Sequence, residues 1–194
     1  MLAWLLAIAA FVALFGYFSK AKADTPYNWT GMYVGGSVGA TSAVGNGLGA
    51  DGHSFGATAG AGIQMGMLYF GGFIDYDHKK LDWAGMPFEV QEITAGGRGG
   101  ILVTNATLLY ALVGHVWLDA KDFDFKTTGL AIGGGVETRV SEHVSIGLEY
   151  RQQTFDDLPN GTEHVVKARL NWNIPASMYQ ALDAPVKGAK KLAP

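Results

Sequence analysis

Read two residues at a time, the chain gathers its ionisable side chains on one face of its extended segments. Asp75, Glu92, Arg98, Glu137, Arg139, Glu149, Arg151, Lys167 and Arg169 share that face. Their signs nearly balance. A lone ion out of water is costly, but paired and hydrogen-bonded ions are tolerated, and a guanidinium can bridge two carboxylates. Such a set can form an ion-selective constriction, or a salt-bridge network that fills and locks a closed interior. Other chemistry is thinly represented. There is no Cys, so disulfides and thiolate metal sites are excluded. His53, His78 and His164 are expected near one rim, with His53 and His78 almost opposite each other across a hairpin. Imidazoles bind metals, but no third ligand is specified, and solvated rim histidines are the simpler reading. His115 is read as pointing inward beside Trp117 and Asp119. Ser54 follows His53 directly, and neighbours on a strand face opposite sides, so the pair builds no nucleophile–base contact. Gly45-Asn46-Gly47-Leu48-Gly49 lacks the Lys-Ser/Thr and the helix of a phosphate loop. Neither enzymatic activity, nor a cofactor, nor a metal is expected.

The elements that carry these side chains are strands. Val144, Ile146, Leu148 and Tyr150 alternate with Ser145, Gly147, Glu149 and Arg151; Val166, Ala168, Leu170, Trp172 and Ile174 alternate with Lys167, Arg169, Asn171 and Asn173. Eight such segments are legible, near 31–40, 54–64, 68–77, 89–103, 107–119, 128–140, 144–155 and 163–174. Their expected outward residues include Met32, Phe55, Phe70, Ile93 and Ile132; on the fifth they are Leu108, Tyr110, Leu112, Gly114, Val116 and Leu118. Connections of a few residues follow the second, fourth and sixth strands. Longer polar stretches, 41–53, 78–87, 120–127 and 156–162, follow the others. Tyr110 and Trp172 are expected toward the short turns, Tyr76 and Tyr150 toward the loops.

Alternating strands of about ten residues, short turns at one end and loops at the other describe an up-and-down barrel with its apolar face in lipid. A soluble barrel would reverse the faces. The paired inward charges and the outward aromatics near strand ends weigh against that. Inward glycines, among them Gly35, Gly39, Gly56, Gly60, Gly62, Gly71, Gly96, Gly133 and Gly135, are read as room for the long charged side chains opposite. Residues 2–18 are almost continuously apolar, and Ala21-Lys22-Ala23 offers a small-x-small cleavage site, so 1–23 is read as a signal peptide. The barrel occupies 24–174, and 175–194 forms a basic periplasmic tail. The net charge of −3 and the absence of a basic stripe exclude nucleic acid as a partner.

Asn28-Trp29-Thr30-Gly31-Met32-Tyr33-Val34-Gly35-Gly36 resembles the opening strand of porin-like outer-membrane surface antigens, written W-x-G-x-Y-x-G-G. Gly133-Gly134-Gly135-Val136-Glu137, the Glu149-Tyr150 strand and Ala95-Gly96-Gly97-Arg98-Gly99-Gly100 are similar to later strands of that family. The resemblance runs from Tyr27 to Ile174. It implies an all-β fold, an eight-stranded antiparallel transmembrane barrel in the bacterial outer membrane. Its implied partners are membrane lipid and the barrel assembly machinery. The role it implies is structural and antigenic; a narrow porin through the lumen and an adhesin on the exterior loops are the alternatives that the residues leave open. In that family the last strand ends the chain on an aromatic residue, whereas here Trp172 and Ile174 are followed by residues 175–194.

Overall fold

The computed structural model describes residues 27–45, 48–83, 85–120, 125–157 and 161–176. The expected signal peptide and nearly all of the expected tail lie outside them. Eight strands run in chain order: β1 (Gly31–Gly45), β2 (Leu48–Met65), β3 (Leu68–Trp83), β4 (Met86–Thr104), β5 (Thr107–Ala120), β6 (Phe125–Arg139), β7 (Val144–Phe155) and β8 (Thr162–Pro175). Each pairs antiparallel with its neighbours, and β1 pairs with β8, so the sheet closes and has no edge. The strands are longer than the alternation alone suggested. β2 and β4 have 18 and 19 residues, and most of the segments expected as loops prolong the strand pairs.

The turns follow local chemistry. Gly66, at φ 63°, opens the two-residue turn between β2 and β3. A left-handed first position matches the twist of a hairpin, and Gly adopts it without a Cβ penalty. Asn105 and Ala106 join β4 to β5, with the Ala106 N–H donating to Thr104 Oγ1 at 3.2 Å.

Seven strands keep the expected register, and β5 reverses it. Leu108, Tyr110, Leu112 and Val116 are buried inside, while Leu109, Val113 and Trp117 face out. His115 faces out too, its ring 4.4 Å from that of Trp117. The cause is one residue. Thr104 pairs with Thr107 but Leu102 pairs with Leu108, so Val103 is an extra residue in the ladder. A one-residue bulge moves every following side chain to the other face. The outer wall is apolar: Met32, Val38, Ile63, Ile74, Ile132 and Leu170 are exposed. Phe55, Tyr76, Trp117 and Tyr150 lie toward the loop end of that wall, and Phe70 and Trp172 toward the turn end. Tyr110 is no part of this girdle.

Candidate functional site

The barrel interior is filled in layers. At the turn end, the segment before β1 folds into the mouth. Tyr27 and Trp29 are buried with Tyr33, Tyr69, Leu102, Leu108 and Tyr110. The Trp29 backbone N–H donates to Gln64 Oε1 at 2.9 Å. Arg139 donates to the carbonyls of Glu142 at 2.7 Å and Asn28 at 3.1 Å, and its guanidinium lies 4.9 Å from the Trp29 ring centre. This segment stoppers the turn end.

Above it, Arg98 occupies an aromatic cage. Its guanidinium carbon is 4.4 Å from the ring centre of Tyr33, 5.0 Å from that of Tyr69 and 5.2 Å from that of Tyr110. It donates to Glu137 Oε2 at 2.9 Å and to the Tyr69 hydroxyl at 3.0 Å. Glu137 also accepts from Asn171 at 3.0 Å and from the Ser145 hydroxyl. The ring-bearing residues sit on glycines. A Cβ on Gly60 would meet the Tyr33 ring, one on Gly62 the Tyr69 ring, and one on Gly135 the Tyr110 ring. The glycines therefore make room chiefly for tyrosine rings near the turn end. Closer to the loops they make room for charged chains, with Asp77 over Gly56 and Lys167 beside Gly39.

At mid-height two carboxylates and two guanidiniums close the lumen. Arg169 donates to Glu149 at 2.8 Å, to Asp75 at 3.0 Å and to Thr58 at 2.6 Å. Arg151 donates to Glu149 at 2.7 Å and to Asp75. The Tyr110 hydroxyl donates to Glu149 Oε2 at 2.7 Å, which is why the reversed β5 register places a tyrosine inward. Lys167 bonds to Asp77 one level higher. There Lys79 reaches Glu92 at 2.5 Å, Glu163 at 2.9 Å and Gln153 at 3.3 Å, and the Thr41 hydroxyl donates to Glu163.

Thus Asp75, Glu92, Arg98, Glu137, Arg139, Glu149, Arg151, Lys167 and Arg169 all point inward and are buried. Asp75, Glu149, Arg151, Lys167 and Arg169 join one web of ion pairs, Arg98 pairs with Glu137, and Glu92 belongs to the layer around Lys79. Arg139 is set apart, on backbone carbonyls and rings. Asp77 completes that web through Lys167, Lys79 and Glu163 form a second group with Glu92, and the alternation did not assign these three. Asp77 ends its expected strand, Lys79 falls in a stretch read as loop, and Glu163 falls at the very start of the eighth expected strand. Their parity with Asp75 and Lys167 was the available signal. His53 and His78 do not face one another: His53 pairs with Lys80, and His78 pairs with Phe55. His78 lies 3.5 Å from Glu89, and no group of metal-ligating side chains occurs among the described residues.

Above the charges the inward positions turn apolar. Ala43, Ala50, Leu81, Phe88, Val90, Leu118, Ala120, Phe125 and Phe155 represent strands β1 to β7, and Glu163 represents β8.

A closed barrel of eight antiparallel strands, apolar and aromatic outside and ion-paired within, defines a transmembrane outer-membrane β-barrel. Residues 7–173 match the family model described as the outer membrane protein beta-barrel domain, and the chain belongs to that family. It resides in the bacterial outer membrane. No curated protein sequence matches it. Among solved structures it is similar to Neisserial surface protein A, with 19% identity and a TM-score of 0.61, covering 75% of this chain and 98% of that one. It is also similar to Ail, the attachment invasion locus protein of Yersinia pestis, in complex with the heparin analogue sucrose octasulfate. There the identity is 12% and the TM-score 0.53, covering 75% of this chain and 100% of that one. At these identities the likeness is one of fold.

With lipid as the outer solvent, the β5 register makes a direct prediction. A cysteine at position 113 should react with a membrane-soluble maleimide, and one at 112 should not, because Val113 is 52% exposed and Leu112 6%. The opposite pattern would remove the bulge at Val103.

Proposed function

We propose that this protein is a non-conducting structural barrel of the outer membrane that presents its loops as a surface antigen. The observation that carries the reading is the unbroken side-chain fill. The Tyr27–Trp29 stopper, the Arg98 cage, the Asp75–Glu149–Arg151–Arg169 layer and the Lys79 layer follow one another along the lumen. Eight strands enclose a space that side chains can occupy completely, and fixed charges held in pairs leave little uncompensated charge to draw a permeant ion inward. Planar bilayer recordings test this. Wild-type protein is expected to give no steady current at any moderate voltage. Reproducible single-channel steps would replace this reading with that of a narrow pore.

A further inference from the structure

The loop-end mouth is a cup with an unusual division of labour. Phe88, Phe125 and Phe155, with Leu81 and Leu118, wall a cavity of about 450 Å³, and among the described lining residues Glu163 is the one ionisable group. The size and the make-up, apolar walls with a single placed polar group, are those of small-molecule sites. The layers below set its polarity. Under the cup, the ammoniums of Lys79 and Lys167 face the carboxylates of Asp77, Glu92 and Glu163. The carboxylates are in excess. The opposite excess lies at the turn end, where Arg98 and Arg139 stand with the one carboxylate of Glu137, which pairs with Arg98 while Arg139 rests on carbonyls and rings. The floor of the cup is therefore the negative end of the lumen. Low-polarity walls focus that field on whatever fills it. Glu163 lines this floor with its side chain 3% exposed, and Lys79 lies behind it, fully buried. Three aromatic rings around the cavity add faces that attract a cation.

We propose that the cup binds small amphiphilic cations, an apolar or aromatic body with a single ammonium, the body among the phenylalanines and the ammonium on Glu163. A neutral analogue gains the apolar contact alone. An anion meets the floor's repulsion. The cup lies above the charge layers, so binding to it is measured without any current.

The test uses the full barrel in phosphatidylcholine nanodiscs, where no detergent competes and the lipid carries no net charge. Phenylbutylammonium, phenylbutanol and phenylbutanoate are titrated calorimetrically against loaded and empty discs. The ammonium is expected to bind one saturable site at least about tenfold more tightly than the alcohol, and the anion more weakly than both. In Glu163→Gln the ammonium and the alcohol are expected to come within about twofold of each other, with the alcohol unchanged. Phe125→Ser and Phe155→Ser, on the walls and outside the ion-pair web, are expected to weaken all three. Folding of each variant is read from its heat-dependent gel shift. If Glu163→Gln fails to fold, the wild-type ligand order and the wall variants decide. No saturable heat above empty discs, equal affinity for ammonium and anion, an undiminished ammonium preference in folded Glu163→Gln, or wall variants that bind as the wild type each overturn the proposal.

Discussion

Lys79→Met is expected to lower the unfolding free energy by about 3–5 kcal/mol, the usual cost of leaving buried charge without its partner. Methionine keeps the apolar stem and removes only the ammonium. Lys79 is fully buried and bonds to Glu92 at 2.5 Å and to both oxygens of Glu163 at 2.9 Å. No other cation takes over, because Lys167 is engaged with Asp77 and Asp75. Glu92 keeps only Gln153 and Thr94, and Glu163 keeps Thr41. Arg169→Ala should cost less, about 1–3 kcal/mol, the range of unmet buried hydrogen bonds. Arg151 also holds both Asp75 and Glu149, Lys167 adds to Asp75, and Tyr110 adds to Glu149. Urea unfolding in phospholipid vesicles ranks the two variants. A midpoint for Lys79→Met equal to the wild type would mean that water reaches this layer and that the charges are not locked.

The barrel was legible in the sequence because seven strands have one face that tolerates lipid and one that does not. Charged and glycine positions such as Glu149, Arg151, Lys167 and Arg169 fix the parity of β7 and β8, since no lipid-facing register could accept them. β5 carries no such marker. Leu108, Leu112 and Val116 on one parity are as apolar as Leu109, Val113 and Trp117 on the other. The alternation therefore could not choose, and the bulge at Val103 chose. Two polar residues held the answer: the Tyr110 hydroxyl needs a buried acceptor and finds Glu149, whereas His115 tolerates the outer wall beside Trp117.

The extent of the site was less legible than its core. Asp77, Lys79 and Glu163 stand where strands run past the apolar wall, so the outward partners that mark a membrane strand have already become polar: His78, Lys80 and His164. A period-two reading that stops with the hydrophobic wall also stops counting the interior. The apolar cup was missed for a related reason. Leu81, Phe125 and Phe155 read as loop-flanking hydrophobics until ring closure brings one inward residue from every strand to the same mouth.

The interior glycines give a contrast in sign. Gly62→Ala is expected to destabilise the barrel by about 3–4 kcal/mol, from overpacking together with the loss of a buried charge-assisted contact. Its Cβ would lie 2.2 Å from the Tyr69 hydroxyl and 2.4 Å from the ring carbon that bears it. The Tyr69 hydroxyl already lies over Gly71 as well, where an added Cβ would meet it at 2.8 Å, so it is seated between the two glycines. Moving Tyr69 breaks its hydrogen bond from Arg98 and opens one wall of the aromatic cage. On the outer wall the same change should do the reverse. A Cβ on Gly72 meets nothing nearer than a carbonyl at 3.6 Å and points into lipid. Gly72→Ala therefore restricts the unfolded chain without strain and is expected to stabilise by about 0.4–1 kcal/mol. The two positions belong to strands that pair through β2 and β3, and Gly72 pairs with Ala61, directly beside Gly62. Local strand propensity is thus nearly the same at both sites, and only the direction of the added methyl differs. Equal unfolding midpoints for the two variants would mean that the tyrosine rings are free to move, and the closed stack around Arg98 would not hold as a stopper.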